Sequence, residues 1–159
     1  YFTSTEQVMI DGVIFLHCDQ ATQHKKWLDH VADNLSNFKD ITTAMILNGR
    51  GRVTDWINLY VEDKIRIITP EKRWLETKDL PKYVKNWLVI GQTWQICCHD
   101  DPIGFNTLAK SSSNIYITPW SVYKGQNNEP WQELTQEDVD SDKLEWTTID
   151  NFGWKLNNG

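Results

Sequence analysis

The side chains best suited to chemistry lie in one short stretch, NWLVIGQTWQICCHDD, which runs from Asn86 to Asp101. It contains two adjacent cysteines, one histidine and two adjacent aspartates. His99 paired with Asp100 or Asp101 is the donor–acceptor combination that a small hydrolase uses for general acid–base catalysis. Such a site would require these groups to converge in a concave pocket with perturbed pKa values.

A metal site is the other chemical interpretation of this stretch, with Cys97, Cys98, His99 and Asp101 as ligands and with His17 and Cys18 as further candidate ligands. Adjacent residues of a strand point to opposite faces, so the two cysteines could not both bind one ion without a kink. Structural zinc ligands also come as spaced pairs, and aspartates before Pro102 are typical of turns. The stretch therefore predicts a core strand that runs into a loop, with no catalytic residue, no metal ligand and no cofactor.

The elements around this stretch predict an α+β fold. Residues 8–19 predict two short strands with a hairpin turn at Asp11-Gly12, or one strand bulged at Gly12. Residues 21–37 predict an amphipathic helix, because hydrophobic side chains recur at helical spacing on one face. That face is made of Trp27, Leu28, Val31 and Leu35.

Three strands, 41–47, 53–62 and 65–69, are separated by short turns and predict an antiparallel meander. Residues 77–87 carry the start signals of a second helix, residues 100–113 predict a loop, and Asn114–Thr118 predicts a strand ended by Pro119. The predicted architecture is an antiparallel meander sheet packed by one or two helices in a single domain, residues 1–159.

Composition restricts the class of protein. The chain has 159 residues, 40% of them hydrophobic, and a net charge of −6. No apolar run reaches membrane-spanning length, and three cysteines, two of them adjacent, favour a reducing, cytoplasmic compartment. From Glu129 to Asp150 there are eight carboxylates and one lysine. The acidity is therefore local, and the rest of the chain is too weakly basic for direct nucleic-acid binding.

Two segments resemble known immunity families. HKKWLDHVADNLSN and TTAMILNGRGRVTDWINLYVEDKIRI are similar to small immunity proteins of bacterial contact-dependent growth inhibition systems, in a helix with Trp27-Leu28, a strand containing Trp56 and the turn 60–64. WLVIGQTWQICCHDDPIGFNTLAKSSSNIYITPW resembles the SUKH immunity superfamily in its "IG" strand, acidic loop and closing aromatic strand. Both resemblances imply a protein that binds and neutralises a cognate toxin, often a nuclease.

The acidic, Trp-bearing segment from about residue 119 is the predicted binding surface for such a toxin, since an acidic face complements a basic, nucleic-acid-binding cleft. The candidate partner-binding residues are Glu133, Glu137, Asp138, Asp140, Asp142 and the aromatic anchor Trp131. A second hypothesis is a Trp-rich carbohydrate-binding module with Trp120, Tyr123 and Trp131 as a stacking platform. The acid–base hydrolase with His99 is the third.

Overall fold

The computed structural model describes residues 8–16, 25–47, 65–68, 76–92, 94, 104–125 and 130–157. Its strands are β1 (Gly12–Leu16), β2 (Thr43–Leu47), β3 (Arg66–Ile68), β4 (Asn86–Gln92), β5 (Asn114–Ile117), β6 (Val122–Tyr123), β7 (Trp146–Ile149) and β8 (Gly153–Leu156). The helices are α1 (Lys25–Leu35), α2 (Phe105–Leu108) and α3 (Gln136–Asp140), and Thr77–Asp79 forms one 3-10 turn. None of the described helices is long and apolar enough to cross a membrane.

All eight described strands belong to one mixed sheet. The order is β3-β2-β1-β4-β5-β8-β7, and β6 pairs with the end of β4. Strands β1 to β5 run parallel to one another, whereas β8 is antiparallel to both β5 and β7. The predicted sheet packed by helices is confirmed, but its antiparallel character is not.

The predicted antiparallel meander is wrong where it can be checked. The meander requires a middle strand, 53–62, between β2 and β3. Instead, β2 and β3 pair directly and in parallel, with Thr43 opposite Arg66. On its other side β2 pairs with β1, so the sheet has no place for a strand between β2 and β3. Residues 53–62 themselves lie outside the described residues.

Three local predictions also differ from the structure. The hairpin at Asp11-Gly12 is replaced by the single strand β1, because the Asp11 carboxylate accepts hydrogen bonds from the backbone amides of Lys85 (2.9 Å) and Asn86 (2.7 Å). The helix at 77–87 is reduced to one 3-10 turn, since Pro81 has no N–H to extend it. The loop 100–113 contains α2.

Two apolar clusters lie on opposite faces of the sheet. On the first face, α1 packs its buried Trp27, Val31 and Leu35 against Val13, Phe15 and other side chains of the central strands. On the second face, α2 and α3 cover residues that alternate with these, such as Ile14 and Val89. We call these the α1 face and the α3 face. Because β1 and β4 are buried on both faces, their sequences are almost continuously hydrophobic.

Candidate functional site

The last two described strands, β7 and β8, form a hairpin that extends the sheet beyond β5. Its attachment depends on a close backbone approach at Gly153, where a Cβ atom would lie 2.2 Å from the Ile117 carbonyl oxygen. Asn151, in the turn of the hairpin, has a left-handed φ of 62°, which asparagine tolerates better than most residues. In the strand order, β7 is the outermost strand at this end of the described sheet.

Helix α3 packs over this hairpin and is fixed by reciprocal capping bonds. The Asp138 amide donates to the Thr135 hydroxyl (3.2 Å), while the Asp138 carboxylate accepts from the Thr135 amide (2.8 Å). From the first turn, the Gln136 side-chain oxygen accepts hydrogen bonds from the Trp154 indole (2.9 Å) and the Thr148 hydroxyl (3.2 Å). The reciprocal bonds between Thr135 and Asp138 form a capping box, which satisfies backbone amides that would otherwise lack partners.

The structure divides the predicted carboxylates into two groups. Glu133, Glu137 and Asp140 are exposed. Asp138 and Asp142 are half-buried and make structural contacts, since Asp138 forms an ion pair with Lys124 (2.9 Å) and Asp142 accepts a hydrogen bond from the Trp146 indole (2.7 Å). In the first group, Asp140 accepts a hydrogen bond from the Gln136 side-chain amide one turn earlier (2.9 Å), whereas Glu133 and Glu137 make no side-chain bond with another described residue. The second group holds α3 and β7 in place.

The bonds around Asp138 also alter its acidity. Partial burial would raise the pKa of the carboxyl group, but hydrogen bonds from the Thr135 amide, the Lys124 ammonium and the Thr135 hydroxyl together outweigh it. The pKa of Asp138 is therefore lowered from its ordinary value of 3.8. Its charge is stabilised by the fold itself, as expected for a capping carboxylate that also has a cationic neighbour.

Two further carboxylates join the exposed group. Glu145 precedes β7 and Asp150 follows it, and both are exposed. Their position at the two ends of the outer strand could not be read from the sequence, because neither β7 nor β8 was predicted. We call the set of Glu133, Glu137, Asp140, Glu145 and Asp150, around β7 and α3, the acidic edge.

The predicted aromatic anchor, Trp131, lies elsewhere. Its ring packs on His30 of α1, with ring centroids 4.8 Å apart, and it contacts the apolar cluster of the α1 face. Val139 of α3 is buried in the cluster of the opposite face. The structure therefore does not bring Trp131 together with the carboxylates of α3.

The structure also separates the residues of the second hypothesis, the carbohydrate-binding platform. Tyr123 is 1% exposed and packs edge-to-face on Trp27, with centroids 5.5 Å apart. Trp120 is half-buried; its carbonyl oxygen accepts a hydrogen bond from the Trp27 indole at 2.8 Å. Its ring lines a cavity of about 550 Å³ beside the C-terminal end of α1. Of the three platform residues, only Trp120 borders this cavity.

The chemical candidates of the CCHDD stretch, residues 97–101, lie outside the described residues, as do His17 and Cys18. Within the described part of the chain, no group of three or more histidine, cysteine, aspartate or glutamate side chains could hold a metal ion. The hydrolase hypothesis with His99 and either aspartate therefore stays a prediction.

Searches of protein families, curated proteins and solved structures found no significant match to this chain.

Proposed function

We propose that this protein binds a basic protein partner through the acidic edge, and that the partner is a toxin whose activity it neutralises. The observation that carries the proposal is the concentration of exposed carboxylates around an outer strand. Among the described residues, no cation forms an ion pair with Glu133, Glu137, Glu145 or Asp150. Carboxylates without internal partners favour rapid, oriented association with a positively charged surface.

The outer strand supplies a second element of such an interface. The outward side of β7 pairs with no other described strand, and its central residues Thr147 and Thr148 are exposed. An unpaired edge offers backbone N–H and C=O groups to a strand of another protein. Flanking carboxylates discourage pairing between two copies of this chain, since like charges would meet, while they favour a basic partner.

The test uses as its probe the C-terminal domain of a secreted toxin encoded beside the gene for this chain. Binding kinetics are measured at several salt concentrations for the wild type and for the double variant Glu137→Lys/Asp140→Lys. Both positions are exposed, and neither supplies the capping bonds of α3. We expect the association rate at low salt to fall about tenfold and its salt dependence to weaken.

A matched control has the same change in net charge at a distant surface. Asp29→Lys/Asp33→Lys reverses two exposed carboxylates on α1 and should change the association rate much less. Equal effects of the two double variants would contradict the acidic edge as the binding surface. A gene neighbourhood without a secreted toxin, or a toxin that this chain neither binds nor inhibits, would overturn the proposed function.

A further inference from the structure

The cavity beside α1 combines three aromatic rings with several hydrogen-bonding side chains. Phe38 lies between the other two rings, with its centroid 6.2 Å from that of Trp120 and 6.2 Å from that of Phe152. All three side chains are half-buried and line the cavity. A volume of about 550 Å³ falls within the range of about 300–1,000 Å³ that is usual for small-molecule sites.

Thr118 also lines the cavity, but its hydroxyl is not accessible from it. The residue is 1% exposed, and its hydroxyl oxygen is fully buried and has no hydrogen-bond partner in the part of the chain that the structure describes. The hydrogen bonds to a bound molecule must therefore come from other side chains of the wall.

The polar part of the wall indicates the class of ligand. Asn34, Asn37 and Asn151 provide amide groups, and the Asn34 nitrogen is already used in a bond to the His30 carbonyl (2.8 Å). Its amide oxygen remains as an acceptor. The described wall carries one cation, Lys39, and two carboxylates, Asp40 and Asp150, and the Lys39 ammonium donates to the Ser36 carbonyl (2.9 Å). An anionic ligand would therefore meet a net negative wall.

We infer that this cavity binds an uncharged, hydroxyl-bearing ring molecule, with the ring against Trp120 and Phe38 and its hydroxyl groups bonded to the asparagines. Sugars and nucleosides share this chemistry, since each has at least one apolar ring face and a set of hydroxyl groups. The inference goes beyond toxin binding, because it concerns the α1 face, involves no residue of α3 and shares only Asp150 with the acidic edge.

The test screens the intact chain by ligand-observed NMR against neutral sugars (glucose, galactose, N-acetylglucosamine and ribose) and nucleosides (adenosine and uridine). A dissociation constant is then measured by calorimetry for any compound that binds. If only sugars bind, the ligand belongs to the sugars; if only nucleosides bind, it belongs to the nucleosides. Absence of binding by every compound at millimolar concentration would overturn the inference.

Two substitutions test whether the compound binds in the cavity beside α1. Asn37→Ala removes an exposed amide side chain that lines the cavity, so we expect affinity to fall about 3- to 10-fold. Folding stability should stay nearly the same, because exposed side chains contribute little to it. Trp120→Leu removes the ring while the backbone carbonyl that binds Trp27 remains, and should weaken binding about tenfold.

The control is Tyr83→Leu, which removes an aromatic ring that is 55% exposed and does not line the cavity. Its affinity should match the wild type. If Asn37→Ala and Trp120→Leu both bind as tightly as this control, the compound binds elsewhere and the assignment of the cavity is refuted.

Discussion

Replacing Asp138 by alanine tests whether this carboxylate holds α3 in place rather than serving a partner. The change removes the acceptor for the Thr135 amide (2.8 Å) and the Thr135 hydroxyl (2.8 Å), together with the ion pair to Lys124 (2.9 Å). Loss of a capping interaction costs about 1 kcal/mol, and a partly exposed ion pair contributes at most about 1 kcal/mol. We therefore expect a loss of about 2 kcal/mol at neutral pH and low salt.

The assay is thermal and urea denaturation at two pH values. For a chain of this length, about 2 kcal/mol corresponds to a fall in Tm of about 4–8 °C. The folded state lowers the pKa of Asp138 from 3.8, so its ionised form contributes stability above that pH. This contribution is lost as the pH falls through the folded-state pKa. The difference between wild type and variant should consequently shrink at about pH 2.

Glu133→Ala provides the matched control. Glu133 is an exposed carboxylate just before α3 and makes no ion pair or side-chain hydrogen bond with another described residue. Its removal should change stability by less than about 0.5 kcal/mol. If Asp138→Ala behaves like Glu133→Ala at neutral pH, or if its effect is unchanged in acid, the structural role assigned to Asp138 is refuted.

Two other substitutions test how the sheet is fixed at its centre and at its edge. Asp11→Ala should lower the free energy of unfolding by about 2 kcal/mol in urea titrations, since it leaves the amides of Lys85 and Asn86 without their acceptor. Asp11→Asn retains one acceptor and should lose less; equal losses would contradict this account. Gly153→Ala should lower it by about 2 kcal/mol or more, because the new Cβ would collide with the Ile117 carbonyl. Asn151→Gly, which relaxes a left-handed residue, should be neutral or slightly stabilising, and a mild effect of Gly153→Ala would show that the hairpin shifts at little cost.

Local signals in the sequence were sufficient for α1 and β5. The apolar residues of α1 recur at helical spacing, and the structure buries Trp27, Val31 and Leu35 as that pattern predicts. Strand β5 ends one residue before Thr118, close to the predicted boundary at Pro119. Both elements are specified by residues near in sequence, so a single chain contains enough information to locate them.

The sheet topology was missed because strand pairing is decided by contacts distant in sequence. Short turns between 41 and 69 favoured antiparallel neighbours, yet β1 pairs with β2 on one side and with β4 on the other. The signal that could have shown this is the run of apolar residues in Val13–Leu16 and Trp87–Ile90. Strands that are buried on both faces do not alternate between polar and apolar residues, and such runs are typical of parallel sheets.

The sequence located the acidic segment, but it could not show which of its carboxylates are exposed. Neighbouring carboxylates such as Glu137 and Asp138 look equivalent in the sequence, but Asp138 is held by Lys124 and Thr135 while Glu137 faces solvent. Trp131 lies near them in sequence, although its ring packs on His30 of α1. Which carboxylates are free depends on side chains that only the folded chain brings together.

Asp150 determines how the two proposed binding sites can be tested separately. It belongs to the acidic edge and also lines the cavity beside α1, because the β7–β8 turn lies between them. A substitution at Asp150 would therefore change both surfaces, and a loss of toxin binding could not be assigned to either. Glu137 and Asp140 belong to α3, whereas Asn37 lies in the cavity wall and outside α3. If Asn37→Ala weakens ring binding but leaves toxin association unchanged, and Glu137→Lys/Asp140→Lys does the reverse, the two sites act independently. A bound ring that alters toxin association in the wild type but not in Asn37→Ala would instead demonstrate coupling through the turn at Asp150.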